Sequence, residues 1–319
     1  MSGAHHHHDH HHDHSHGHHH GHGHSHAPAD FGRAFAVGVV LNTGFVVVEA
    51  LYGVLSGSMA LVADAGHNLS DVLGLLIAWG ASALVKRPPS ARFTYGFKSS
   101  SILAALGNAS LLLVALGAIT VETLRRLLDP QPIEAGPVMI VAAIGIAINM
   151  GTALMFMRGR HHDINVRGAY LHMMADAAVS AGVVLAGLAI QLTGALWIDP
   201  VTSLVIVAVI ARGTWGLLKD SLKMGLHAVP AAINEAQVRA FLASQPGVCA
   251  VHDLHIWPMS TTETALTAHL VIPEGHPGDA FLHHVAHELE DDFGIGHATL
   301  QIETSPDSHV CALASEAVV

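Results

Sequence analysis

Residues 59–84 read MALVADAGHNLSDVLGLLIAWGASAL, an apolar stretch that carries one histidine and two aspartates. A helix of about 20 residues is long enough to cross the hydrocarbon core of a bilayer. Comparable apolar stretches occur on both sides of this one, separated by short polar breaks, and together they cover 34–55, 59–84, 100–124, 137–157, 168–191 and 198–218. The pattern predicts an α-helical membrane protein with six transmembrane helices.

The composition agrees with a membrane location and excludes several other classes of protein. Hydrophobic residues make up 51% of the 319 residues and charged residues only 12%, with a mean hydropathy of +0.44, whereas soluble domains carry about 25% charged residues. A formal net charge of -11 argues against a nucleic-acid-binding surface. The two cysteines, Cys249 and Cys311, cannot form a disulfide framework and fit a reducing compartment.

Positive charges are distributed unequally between the two sides of the predicted membrane domain. Most lysines and arginines near the helix ends follow the second, fourth and sixth stretches, at Lys86, Arg87, Arg92, Lys98, Arg158, Arg160, Arg167, Lys219 and Lys223. The opposite side carries only Arg125 and Arg126. Since loops rich in lysine and arginine stay in the cytoplasm, both termini are predicted to be cytoplasmic.

The two ends of the chain are predicted to lack a packed core. Residues 1–26 contain 15 histidines among aspartate, glycine and serine, so we interpret 1–30 as a disordered His-rich arm that collects metal ions. An expression tag is the alternative explanation. Residues 306–319 are predicted to be a flexible tail. Between the ends, 31–220 form the predicted membrane domain and 221–305 a cytoplasmic domain for metal binding and dimerisation.

The predicted cytoplasmic domain is more polar, and its hydrophobic periodicity changes from one element to the next. The predicted elements are helices at Asn234–Ser244, capped by Asn234, and Asp279–Phe293, and strands at Ala250–Met259, Glu263–Pro273 and Ala298–Glu303. The second strand alternates, with His269 on one face. The order α-β-β-α-β predicts one small α+β domain.

Two predicted transmembrane helices each contain a histidine followed four residues later by an aspartate. The pairs are His67 with Asp71 and His172 with Asp176. A spacing of four places both side chains on one helical face, so two facing helices can present two imidazoles and two carboxylates, a tetrahedral ligand set for Zn²⁺. Structural hydrogen bonds are the alternative, but an ionisable residue costs about 2.5–3.5 kcal/mol in the bilayer core. The repetition of this costly pair favours a metal site.

Other polar residues in the predicted spans are expected to hydrogen-bond between helices rather than to bind metal. They are Asn42, Glu49, Asp64, Asn108 and Asn149. Asp199 lies at the start of the sixth span, where an interfacial position is sufficient to explain its charge.

Four motifs together resemble the cation diffusion facilitator family, in particular its bacterial zinc-type efflux transporters. They are SMALVADAGHNLSD at 58–71, Tyr95-Gly96-Phe97 with Asn108, NVRGAYLH at 165–172 with Asp176, and HDLHIW at 252–257. The resemblance runs from about Phe35 to Glu303. It implies six spans, a cytoplasmic ferredoxin-like domain, a homodimer in the bacterial inner membrane, and export of Zn²⁺ against inward-moving protons. It also implies that His67, Asp71, His172 and Asp176 form the transport site.

The resemblance also bears on the choice of metal and on a second site. Relatives with aspartate in place of the first histidine are broader in metal choice, so His67 favours Zn²⁺, with Cd²⁺ and Co²⁺ as further candidates. In the cytoplasmic domain, matching to the family places ligands near His252, His269, His283 and Glu303, for a Zn²⁺ ion that regulates the transporter or stabilises its dimer. Gln301 stands where some relatives have histidine, which leaves the number of metal ions open.

Three other functions are compatible with metal-binding residues in a membrane. An intramembrane zinc hydrolase is disfavoured because the sequence has no His-Glu-x-x-His motif and because four protein ligands would close the coordination sphere. A membrane-bound metal sensor or buffer does not explain acids buried in two spans. A passive channel differs from an exchanger in that its flux does not depend on a proton gradient. A non-enzymatic exporter that exchanges metal for protons is therefore the predicted function.

Overall fold

The computed structural model describes residues 33–156 and 164–304, so the His-rich arm and the tail lie outside the described residues. Six helices occupy the first part: α1 Arg33–Leu55, α2 Met59–Val85, α3 Ser100–Leu128, α4 Ala135–Phe156, α5 Ile164–Thr193 and α6 Ile198–Gly225. Each coincides with one of the predicted apolar stretches. Within the described residues, four helical segments are long and apolar enough to cross a membrane, namely Ser100–Leu128, Ala135–Leu154, Tyr170–Thr193 and Ile198–Gly225.

The membrane domain is held together by small and aliphatic side chains between neighbouring helices. α4 packs most extensively against α5, and α3 against α6, while α2 contacts both α1 and α3. Leu61 and Ala63 of α2 are buried in the core of this domain. At Gly53 the backbone of α1 approaches α2 so closely that a Cβ atom would lie 2.9 Å from the Val62 side chain. Glycine at this position therefore lets α1 and α2 meet beside their connecting turn.

Large hydrophobic side chains are exposed along the outside of these helices. Val54, Leu103, Val114, Leu185 and Val209 are all strongly exposed. An extended apolar exterior is unfavourable in water and is suited to contact with acyl chains.

The turn that joins α1 to α2 is held by side chains from two other helices. Asp199, in the first turn of α6, accepts hydrogen bonds from the Ser58 hydroxyl at 2.5 Å and from the Met59 backbone N–H at 2.7 Å. Arg126 of α3 donates to the Gly57 carbonyl at 2.6 Å. The Asp199 carboxylate is buried, and it satisfies amides at the N-terminus of α2 that have no partner within that helix. The expected interfacial position of Asp199 stays a prediction. This end of α2 is thereby fastened to α3 and α6.

The C-terminal part of the chain forms an α+β domain in the predicted order of elements. They are α7 Glu235–Ala243, β1 Ala250–Pro258, β2 Thr264–Val271, α8 Asp279–Phe293 and β3 His297–Glu303. The central strand β2 pairs antiparallel with β1 and parallel with β3. Asn234 caps α7 as predicted, since its side-chain oxygen accepts from the N–H groups of Ala236 and Gln237 at 3.0 and 3.3 Å.

One face of this sheet carries the hydrophobic core of the domain, and the other carries polar side chains. Leu266 and Leu270 of β2 pack with Val285 and Leu289 of α8. Because successive residues of a strand point to opposite faces, His269 lies on the face away from the helices. The alternation predicted for β2 is confirmed, and it determines which side chains of the domain can meet.

The C-terminal domain contacts the membrane domain through the turn between β1 and β2. Lys98, just before α3, forms an ion pair with Glu263. The backbone N–H of Thr261 donates to the hydroxyl of Ser101, in the first turn of α3, at 3.1 Å. The start of α3 and the β1–β2 turn are therefore in direct contact.

Candidate metal centre

Four side chains, which we call the intramembrane group, come together between α2 and α5. They are His67 and Asp71 of α2 and His172 and Asp176 of α5, and one ligand atom from each lies within 4.8 Å of those of the others. The spacing of four within each helix puts each pair on the face that meets the other helix. The structure thus assembles all four residues that the sequence singled out, and their use as metal ligands stays a prediction.

Each imidazole of this group lies closer to the aspartate of the other helix than to that of its own. His67 Nε2 is 3.2 Å from Asp176 Oδ1 and 3.8 Å from Asp71 Oδ2. His172 Nε2 is 3.1 Å from Asp71 Oδ2 and 3.5 Å from Asp176 Oδ2. Two imidazole nitrogens and two carboxylates thus surround one region, which is a donor set for tetrahedral Zn²⁺. With neutral imidazoles, the two ionised aspartates balance the charge of a divalent ion.

The four side chains differ in exposure along the helix axes. The exposed fraction falls from 34% at Asp71 and 25% at His172 to 19% at His67 and 4% at Asp176. Asp71 is closer than His67 to the C-terminal end of α2. That end of α2 leads to the start of α3, which contacts the C-terminal domain. The more exposed pair therefore lies toward the C-terminal domain, and the more buried pair lies deeper in the helices.

One turn deeper than the intramembrane group, three helices contribute further polar side chains. Glu49 of α1 and Asp64 of α2 are fully buried. The Asn68 amide donates to Glu49 Oε2 at 2.9 Å, and the Ser180 hydroxyl of α5 donates to Asp64 Oδ2 at 2.8 Å. The prediction that Glu49 and Asp64 hydrogen-bond between helices is confirmed.

A second group, which we call the strand group, takes one side chain from each strand of the C-terminal domain. It consists of His252, His269 and Glu303, whose ligand atoms lie within 4.8 Å of one another. Glu303 Oε1 is 3.4 Å from His252 Nε2 and 3.1 Å from His269 Nδ1. His252 Nε2 is buried and has no hydrogen-bond partner among the described residues. A buried nitrogen in this situation is suited to ligating a metal ion.

His283, the fourth residue predicted in this domain, is not brought into the strand group. It lies on α8 and lines a surface pocket with Leu282 and Leu300. α8 covers the core face of the sheet, whereas His269 and Glu303 lie on the opposite face. The sequence predicted the helix that carries His283, but the face of the sheet that this helix covers depends on the pairing of distant strands.

Asp253 lies beside the strand group and was missed by sequence reasoning. The register between β1 and β2 shifts between His252 and His255, and at this bulge Asp253 has a φ of 50°, which is uncommon for a residue with a side chain. Its carboxylate lies 2.8 Å from His255 Nε2 and 3.4 Å from His269 Nε2. Since the other ring nitrogen of His269 faces Glu303, Asp253 is placed to orient this imidazole. Its only signal in the sequence was its position within the HDLHIW motif.

Comparison with known protein families matches both parts of the chain. The family model for the cation efflux transmembrane domain matches residues 35–224. The model for the cytoplasmic domain of cation efflux proteins matches residues 230–305.

Several bacterial proteins are similar to this chain over most of their length. The metal cation efflux system protein CzcD of Cupriavidus metallidurans is 36% identical over 280 residues, which cover 88% of this chain and 89% of the relative. The zinc transporter ZitB of Escherichia coli is 36% identical over 274 residues, or 85% and 87% of the two chains. The cadmium, cobalt and zinc/H(+)-K(+) antiporter of Bacillus subtilis is 31% identical over 282 residues, or 87% and 90%.

A solved structure is similar to the C-terminal part of the chain. It is described as the metal-bound C-terminal domain of the CzcD transporter from Cuprividus metallidurans, and it is 33% identical, with a TM-score of 0.21, over 22% of this chain and 99% of that chain. The matches to both family models, and the identities above 30% over most of each relative, show that this integral membrane protein belongs to the cation diffusion facilitator family.

Proposed function

We propose that this protein exports divalent metal cations from the cytoplasm, with Zn²⁺ as its main cargo, in exchange for protons. The observation that carries the proposal is the intramembrane group, in which two histidines and two aspartates from separate helices lie within 4.8 Å of one another. The names of the relatives, which include a zinc transporter and a cadmium, cobalt and zinc antiporter, support it. Cd²⁺ and Co²⁺ are further candidates, because imidazole and carboxylate ligands also accept these ions.

In this proposal, α1 to α6 all cross the bacterial inner membrane, and both termini lie in the cytoplasm. The lysines and arginines that follow α2 and α4, together with Lys219 and Lys223 near the end of α6, support this orientation. The C-terminal domain, which we expect to have the ferredoxin-like arrangement of the family, pairs two copies of the chain in a homodimer.

Exchange follows from competition between protons and metal for the same atoms. His67 and His172 bind metal only when neutral, and the aspartates bind it only when ionised. When the intramembrane group faces the cytoplasm, it loses protons and binds the metal ion. When it faces a more acidic exterior, protons displace the ion, and the protonated group returns. Movement of helices around a site near the membrane midplane supplies the alternating access.

The exposure of the intramembrane group supports entry of metal from the side of the C-terminal domain. Asp71 and His172, its more exposed members, lie toward that domain, and Asp176 is nearly inaccessible. At the far end of α2, Asp199 fastens the α1–α2 turn to α6. This difference in exposure supports a conformation in which the site is open toward the cytoplasm and closed toward the exterior.

We further propose that the strand group binds a Zn²⁺ ion that stabilises or regulates the exporter rather than being transported. His252, His269 and Glu303 supply two nitrogens and one carboxylate on the face of the sheet away from its core. The strands of His252 and His269 are joined by the turn that contacts the start of α3, so an ion bound here would be linked mechanically to the membrane domain.

The test of the proposed function is metal flux into proteoliposomes across an imposed pH gradient, with Zn²⁺, Cd²⁺, Co²⁺ and Mn²⁺ compared. We expect Zn²⁺ flux by the full-length protein and its loss in Asp176→Asn, because the amide cannot supply a negatively charged ligand. Asp129→Asn, a change of the same chemistry at an exposed position after α3, should transport normally.

Two outcomes would contradict the proposal. Normal flux in Asp176→Asn would show that the intramembrane group does not bind the cargo. Flux that continues unchanged after the proton gradient is dissipated would indicate a passive channel. Deletion of residues 1–30 distinguishes an exporter from a metal sensor or buffer. A sensor or buffer based on the His-rich arm would lose its function, whereas an exporter would still transport metal.

A further inference from the structure

Two buried carboxyl groups in the membrane domain are not part of the intramembrane group. Glu49 of α1 and Asp64 of α2 are each 0% exposed. The Glu49 carboxyl group lies beside that of Asp64, because it accepts from Asn68, which follows Asp64 by one turn on the same face of α2. They lie one turn deeper than the intramembrane group, on the side away from the C-terminal domain. Two neighbouring carboxyl groups that are both buried do not readily ionise together in a medium of low dielectric constant.

The hydrogen bonds from neighbouring residues satisfy one oxygen atom on each carboxyl group. Glu49 Oε2 accepts from Asn68, and Asp64 Oδ2 accepts from Ser180. The remaining atoms, Glu49 Oε1 and Asp64 Oδ1, are buried and have no hydrogen-bond donor among the described residues. An ionised carboxylate can only accept, whereas a protonated carboxyl group also donates once. One proton between the two groups therefore supplies the donor that both lack.

The other states of the pair leave polar atoms or charges unsatisfied. Without a proton, the pair would hold two negative charges and two unpaired buried oxygens, which is costly. With two protons, the second O–H group would need an acceptor that is already bonded to Asn68 or Ser180. A metal ion would need more ligands, and among the described residues no third acidic, histidine or cysteine side chain completes a metal-binding set with these two.

We propose that Glu49 and Asp64 share a single proton and form a proton-binding site separate from the intramembrane group. The pair then carries one negative charge rather than two. In the intramembrane group, His67 lies one turn along α2 from Asp64, and Asp176 lies one turn along α5 from Ser180, the hydrogen-bond partner of Asp64. The presence of the shared proton does not depend on the proposed export function. Exchange of this proton during transport does rest on that function, because α2, which carries Asp64, and α5, which carries its partner Ser180, also carry the proposed metal ligands.

Infrared spectroscopy of the purified full-length protein tests for this proton directly. A protonated carboxylic acid has a C=O stretching band that is separate from the bands of carboxylates and shifts in D₂O. We expect a band of this kind in the wild type and its loss in both Glu49→Gln and Asp64→Asn. In each variant the new amide donates to the remaining carboxylate, so that carboxylate stays ionised. Glu122→Gln, which removes a carboxylate paired with Arg126 at 3.1 Å, should leave the band unchanged.

A second measurement keeps the proposal testable if one variant folds poorly. The amide of Glu49→Gln occupies the position of the shared proton as a donor, so its Tm should stay close to that of the wild type. A clear rise in Tm would instead show that the substitution had removed repulsion between two ionised carboxylates. That rise, or a protonated-acid band that persists in both Glu49→Gln and Asp64→Asn, would overturn the proposal.

Discussion

The two candidate metal groups are built in different ways. In the intramembrane group, two helices each provide two side chains through a spacing of four, whereas in the strand group three strands each provide one. The first therefore has four donors within one chain and can close a tetrahedral coordination sphere. The second has three, so the coordination sphere of an ion bound there would be completed by water or by a ligand from outside the group. A complete set between two helices suits an ion that must be wrapped away from lipid, while a set of three suits an ion that stays bound near solvent.

Removing one histidine from each group tests this difference most strongly. His67→Ala should reduce Zn²⁺ flux in proteoliposomes to the level of protein-free vesicles, because the ion loses one of its four proposed ligands and Asp176 loses the closer of its two imidazole neighbours. His269→Ala should retain measurable flux, since His269 belongs to the group that we propose to bind an ion that is not transported. An equal loss of flux in both variants would contradict the separate roles.

Asp199→Ala should destabilise the membrane domain without touching either metal group. It removes the carboxylate that accepts from Ser58 and Met59 at the N-terminus of α2. From the usual values for a helix cap and for hydrogen bonds to a charged group, we expect a loss of about 2–3 kcal/mol in the free energy of unfolding. Denaturant unfolding in detergent measures it, with Asp220→Ala at an exposed position of the same helix as the control. Equal stability of the two variants would contradict the role of Asp199.

Asp253→Asn should weaken Zn²⁺ binding by the strand group without removing a ligand. Loss of an outer-shell carboxylate that orients a histidine typically lowers metal affinity by about 10- to 100-fold, and we expect the lower end because the Asp253–His269 distance is 3.4 Å. The Zn²⁺ dependence of Tm measures the affinity in full-length protein that carries Asp176→Asn, so that the intramembrane group does not contribute. Unchanged affinity, with Glu288→Gln as the control, would show that Asp253 does not position His269.

The ion pair between the two domains should have the smallest effect. The side chains of Lys98 and Glu263 are 30% and 39% exposed, and ion pairs at this exposure contribute about 0.2–1 kcal/mol. A double-mutant cycle with Lys98→Ala and Glu263→Ala measures their coupling in the free energy of unfolding. A coupling well above this range would mean that the contact between the β1–β2 turn and α3 is a stronger link than its exposure suggests.

The features that sequence reasoning predicted well depend on neighbours within one or two helical turns. α8 has the predicted bounds, Asp279–Phe293, because its apolar side chains recur at the helical period. Asn234 caps α7 through amides two and three residues away. The approach of the two His–Asp pairs could also be predicted, because a spacing of four fixes the face of each helix, and costly buried residues need partners.

The features that sequence reasoning did not predict depend on residues that are distant in the chain. Ser58, the partner of Asp199, lies 141 residues away, so nothing in the surrounding sequence indicated that this aspartate caps another helix. The position of His283 on the core side of the sheet follows from how β2 and β3 pair. The bulge at Asp253 is likewise a property of the β1–β2 register. No periodicity within a single segment specifies these arrangements.

α2 and α5 belong to differently packed sets of helices. α2 is fastened to α3 and α6 by its N-terminal turn, whereas α5 packs mainly against α4. A divalent ion held by both helices would therefore act as a removable crosslink between these two sets. The separation of α2 and α5 would then depend on ionic radius, so that Cd²⁺ would hold them farther apart than Zn²⁺. Selectivity among metals would then depend on the affinity of each ion for the ligands. It would also depend on whether the distance that the ion sets between α2 and α5 allows the next conformational step.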